Sequence, residues 1–120
     1  MKKLTSPSKG LAARILTEVG FSERLIGYRL RERTGPMSIT LYSFEEIVGL
    51  LNEPHPRIDF NLLEKWVRNT MGDLELAGKI RDVLNEDMSD QDKSAQIRDL
   101  MGLRLHQSIR LSLENVEQEL

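Results

Sequence analysis

Residues 59–84, DFNLLEKWVRNTMGDLELAGKIRDVL, constrain the fold more than any other stretch, because they set the chain's single tryptophan between two helix-start signals. Leu62, Leu63, Trp66 and Val67, followed one turn on by Thr70 and Met71, recur at helical spacing and leave Glu64, Lys65 and Arg68 on the other side. Asn61 and Glu64 have the spacing of a capping pair, the amide oxygen accepting from free N–H groups and the carboxylate lying near the positive helix end. Gly72 is a natural left-handed stop, and Asp73 caps the next helix. That helix turns Leu76, Ala77, Ile80, Val83 and Leu84 to one face and Lys79, Arg81 and Asp82 outward. So short a turn makes the two helices pack antiparallel or at a steep angle, with Trp66 covering the joint.

The run at residues 61–80, NLLEKWVRNTMGDLELAGKI, resembles a pattern found in small uncharacterised bacterial and archaeal helical domains, approximately N-D-F-x-x-W-V-x-x-x-x-G-D-x-E-L-A. Asn61, Trp66, Val67, Gly72, Asp73, Glu75, Leu76 and Ala77 match it, while Leu62 and Leu63 stand where the pattern has Asp and Phe. The likeness spans the middle of the chain. It implies a helical fold and no particular activity.

At 120 residues the chain is long enough for one domain with a single hydrophobic core. Its 39% hydrophobic and 30% charged residues are an ordinary globular balance. No apolar run approaches the roughly 18 residues of a membrane span, and the basic start MKKLTSPSKG leads into no signal-type apolar stretch, so the expected location is cytoplasmic, with no membrane partner. Zero cysteines exclude disulfides, thiol catalysis and cysteine-based zinc sites. The net charge of -2 conceals an asymmetry: residues 1–35 carry eight Lys/Arg against three acids, residues 36–120 nine against sixteen. A basic end of this kind can meet nucleic acid, an acidic partner, or the chain's own acidic remainder.

Residues 1–8 are expected to fray. Leu11, Ala12, Ile15, Leu16 and Val19 then follow a helical period closed by Gly20, and Ser22 is placed to cap a second helix with Leu25, Ile26 and Leu30 inward. The string LTEVGFSERLIGYRL resembles the helix-turn-helix of bacterial transcription factors. That resemblance implies Gly20 in the turn, Phe21 in the core, and a DNA-contacting set of Ser22, Arg24, Tyr28, Arg29, Arg31 and Arg33 within residues 10–33. Gly27 inside that helix costs ~1 kcal/mol against alanine, and Glu23 and Glu32 oppose a polyanion.

Residues 34–42, TGPMSITLY, form a Gly-Pro turn and an alternating segment with the pattern of a short strand. Ser43 with Glu46 makes a capping box for a helix that buries Phe44, Ile47, Val48, Leu50 and Leu51. NEPHPR is a proline-stiffened link in which His55 is a loop residue without companion ligands. The acidic turn NEDMSDQD lacks the glycine and glutamate of a calcium loop, and Ser89 with Asp92 caps the final helix instead.

In that last third Ile97, Met101, Leu105, Ile109, Leu113, Val116 and Leu120 recur every three or four residues. Leu103, Leu105, Ile109, Leu111 and Leu113 equally fit the alternation of a strand, so residues 103–113 carry two readings. The leucine-, arginine- and glutamate-rich composition, nearly without β-branched residues, favours helix. The expectation is a mainly α domain of five or six helices with room for one or two short strands, near residues 37–42 and 103–113. The apolar surplus at Leu105, Ile109, Leu113 and Val116 makes them the expected partner-binding residues, toward a protein or a second copy. With His106 read as a surface residue and no nucleophile elbow, phosphate loop or paired-histidine motif, the chain is expected to be non-catalytic, with no cofactor, metal or small-molecule substrate. The expected function is an interaction or regulatory module, the alternative a DNA-binding regulator.

Overall fold

The chain is mainly α, with five α-helices and a two-stranded antiparallel sheet among the described residues. The computed structural model describes the backbone of residues 4–31, 35–53 and 57–119, the side chains of 29–31, 36 and 115–119 lying outside that description. Helix α1 (Lys9–Ile15) is followed by a 3-10 turn (Phe21–Glu23), strands β1 (Leu25–Arg31) and β2 (Gly35–Leu41), and helix α2 (Phe44–Leu51). Helix α3 (Phe60–Trp66) runs on as a π-helical turn (Val67–Met71), and α4 (Leu74–Asn85) and the long α5 (Asp90–Glu119) complete the fold.

The central helix pair forms where its apolar spacing places it, and Gly72 ends the π turn at φ 74° while Asp73 accepts from the Leu76 N–H. Two details differ. The cap of α3 is Asp59, whose carboxylate accepts from the Asn61 and Leu62 N–H groups, because a charged oxygen is available two residues ahead of Asn61. Glu64 faces inward and is buried, since Arg68 and Arg81 accompany it and satisfy both its oxygens. Trp66 is buried near the end of α3, its indole N–H donating to the Glu23 carbonyl at 2.7 Å, so it faces the 3-10 turn before β1.

The second helix expected after Ser22 is a strand. Leu25 to Arg31 pair with Gly35 to Leu41 in one unbroken register, Leu25 opposite Leu41 and Arg31 opposite Gly35. Burial alternates along it, Leu25 and Gly27 in, Ile26 and Tyr28 out. Gly27 explains the choice: a Cβ there would stand 2.5 Å from Leu50 Cδ2, so the residue that weakens a helix is what lets this strand lie against α2. The helix-turn-helix arrangement is therefore not adopted.

The capping box holds on α2, with Ser43 accepting from the Glu46 N–H and Glu46 accepting from the Tyr42 N–H. Phe44, Ile47, Val48, Leu50 and Leu51 are buried from it. Residues 103–113 are helix and not strand, continuous with the turn capped by Ser89. The core gathers Ile15, Phe44, Ile47, Leu63, Leu76, Ile80, Ile97 and Met101 between α1, α2, α3, α4 and the first half of α5. Residues 4–8, expected to fray, lie against this body: Leu4 is buried and the Thr5 N–H donates to the Glu75 carboxylate.

Candidate interaction surface on the C-terminal helix

A helix turns about 100° per residue, so a strict four-residue repeat advances about 40° around the axis at each step. Ile97, Met101, Leu105, Ile109 and Leu113 make such a series. On α5 they do not form one stripe. Ile97 and Met101 are fully buried, Leu105 is half-buried, Ile109 is 41% exposed and Leu113 60% exposed. The inward line instead runs through Ile97, Leu100, Arg104 and Ser108, and burial of described side chains on α5 ends at Ser108. Beyond it the helix carries a second apolar line through Leu105, Ile109 and Leu113, turned about a third of the way round the axis. Val116 continues that line in sequence; its side chain lies outside the description.

The first half of α5 is anchored by Arg104, which is 1% exposed. Its guanidinium donates from Nε to Asp73 Oδ2 at 2.8 Å, from Nη2 to Glu75 Oε1 at 2.8 Å, and from Nη1 to the Thr5 carbonyl at 2.7 Å and Gln107 Oε1 at 2.9 Å. Gln107 in turn donates to the Leu4 carbonyl. Partial burial pushes the Glu75 carboxyl up, but hydrogen bonds from Thr5 and Arg104 and the guanidinium charge outweigh it and hold the group below its ordinary value. The network ties the amino-terminal segment, the start of α4 and the middle of α5 into one unit. The sequence contained Asp73 and Glu75 as part of a helix start; that they share a buried arginine about thirty residues on depends on tertiary packing alone.

The residues expected to contact DNA are dispersed. Ser22 sits in the 3-10 turn, which Gly20 and not Ser22 precedes as cap. Arg24 lies over the Phe21 ring at 3.7 Å and donates to the Phe21 carbonyl. Ser22, Arg24 and half-exposed Tyr28 do border one groove of 660 Å³, floored by Trp66. Its charged lining is two acids, Glu23 and Asp59, and two bases, Arg24 and Lys65, so it has no net positive field. Arg29 and Arg31 lie on β1 with side chains outside the description, and Arg33, like His55, lies outside the described residues.

A larger open depression of 940 Å³ is bordered by Tyr28, Arg57, Phe60, Arg81 and Lys93. Two of its cations serve the fold: Arg81 bonds Asn61 and Glu64, and Lys93 donates to the Leu84 carbonyl at the end of α4. Among the described residues no cluster of three or more His, Cys, Asp or Glu side chains converges as a metal site, and no helix is long and apolar enough to cross a membrane. No protein family, no curated protein and no solved structure matches this chain.

Proposed function

We propose that the domain is a non-catalytic protein-interaction module, regulatory in the sense that its output is an association, and that it docks its partner along Leu105, Ile109 and Leu113 on the outer half of α5. The observation carrying this is the progressive exposure along that line, from Leu105, partly buried against the core, to Ile109 at 41% and Leu113 at 60%, on a helix whose first half is anchored by Arg104. Apolar anchors on one helical line are the pattern by which a helix packs into a groove or against another helix.

A photo-reactive phenylalanine analogue at position 113 tests it in the producing cell. A docking surface gives a cross-linked product of discrete mass that disappears when Ile109→Glu is added. No discrete product, or one indifferent to Ile109→Glu, overturns the proposal.

A further inference from the structure

The outer half of α5 has a charge order as well as an apolar line. Its upstream part carries the exposed Arg110, and everything charged after Arg110 is acidic: Glu114, Glu117 and Glu119. On a helix of 3.6 residues per turn, positions 110 and 117 border the same side of the apolar line, beside position 113 at its edge. When two identical helices meet antiparallel, each border faces its own copy in reverse order. Position 110 then lies opposite position 117 of the second copy, and the same pair forms again across the two-fold axis. The apolar positions are equally self-matching, since 109 falls opposite 116 and 113 opposite 113. A parallel arrangement would set acidic ends side by side.

Resting on the docking function assigned above to this same helix, we propose that the partner is a second copy of this chain, the two α5 helices packed antiparallel about a two-fold axis beside Leu113. The seam is short. Residues 105–119 extend about 21 Å, below what an interface of standard size, about 1,600 Å², requires, so the dimer is reversible and its extent depends on concentration.

Sedimentation velocity of the full chain over a wide concentration range, at low and near-physiological salt, tests this. The expected result is a monomer–dimer equilibrium, weakened on the order of 100-fold by Leu113→Glu, because one substitution removes two buried leucines per dimer. Arg110→Glu should weaken it on the order of tenfold at low salt and less at high salt, and adding Glu117→Arg should restore it. Circular dichroism of each variant establishes that it is folded; Arg110 is exposed, so the charge pair keeps the test open if Leu113→Glu is not. A monomer at all concentrations overturns the second-copy proposal, and a discrete cross-link from position 113 to another protein would then leave the docking function standing. A dimer indifferent to Leu113→Glu, or one that the double charge exchange fails to restore, overturns the antiparallel arrangement.

Discussion

Arg104 shows what a single side chain contributes here. A buried guanidinium loses its hydration on folding, and it is tolerated because five protein oxygens, on Asp73, Glu75, Thr5 and Gln107, receive its protons. Removing it leaves Asp73 buried with a carboxylate oxygen no longer compensated. Arg104→Ala should therefore lower unfolding stability by roughly 3–5 kcal/mol, read as a fall in the urea midpoint. Arg104→Lys should recover only part of the loss, since an ammonium cannot reach partners spread around a planar fork. The acids add a pH dependence. For Glu64, burial acts upward, but hydrogen bonds and charge from Arg68 and Arg81 prevail, and both Glu64 and Glu75 are held below their ordinary 4.5 in the folded chain. A depressed folded value means the stabilisation is complete above pH 4.5 and is lost as pH falls through the lower folded value. The urea midpoint should stay level across weakly acidic to neutral pH and drop below that point, and Glu64→Gln with Glu75→Gln should flatten the drop. An unchanged acid limb in the double variant would mean that other carboxylates govern it.

At the scale of elements, much of the local chemistry could be read from sequence, although the caps expected at Asn61 and Ser22 fall to Asp59 and Gly20. Ser43 with Glu46, Gly72 with Asp73, and Ser89 act within a few residues of themselves, and each capping or stop position holds in the structure. The strand β1 was not legible because Leu25, Ile26 and Leu30 fit a helical face as well as a strand, and pairing with β2 and the approach of Gly27 to Leu50 of α2 decide the matter. Gly27 held the missing signal. Two glycines therefore give contrasting predictions. Gly72→Ala meets a positive φ of 74° and should cost about 1–2 kcal/mol through backbone strain, lowering the melting temperature. Gly27→Ala has no such strain, but its methyl would press into Leu50 and should cost about 1–3 kcal/mol by overpacking. Combining Gly27→Ala with Leu50→Val should then lose less than the two single effects added, because the second change clears space for the first. Strict additivity would count against direct packing of Gly27 on Leu50.

The whole molecule is 51 Å in its longest dimension, and α5, about 45 Å long at 1.5 Å per residue, accounts for most of it. The segment before α1 and the middle of α5 are nearly a hundred residues apart in sequence, yet the Leu4 and Thr5 carbonyls accept from Gln107 and Arg104. This clasp was not legible in MKKLTSPSKG, whose polar composition is that of a frayed segment; among its described residues only Leu4 and Pro7 are buried, and apart from the Thr5 hydroxyl, which donates to Glu75, its contacts to α4 and α5 use main-chain groups that every sequence possesses. Leu105, Ile109 and Leu113 were legible as a surplus, but their drift away from the core became visible only once α5 proved to be one uninterrupted helix. The clasp and the drift make opposite predictions for the two faces of α5. Deleting residues 1–7 exposes the apolar surface beneath Leu4 and strips acceptors from Arg104 and Gln107, so it should cost roughly 2–4 kcal/mol and speed amide exchange in α5 around Arg104. Leu113→Glu, on the far face, should leave the unfolding stability of the dilute protein, read from its urea midpoint, within about 0.5 kcal/mol of its starting value. Hydrogen exchange followed by mass spectrometry on both proteins separates the two faces. Protection lost around residues 97–108 in the deletion and retained there in Leu113→Glu would place folding on the inner line and leave the outer line available for association, whereas equal loss in both would mean that Leu113 helps hold the domain together.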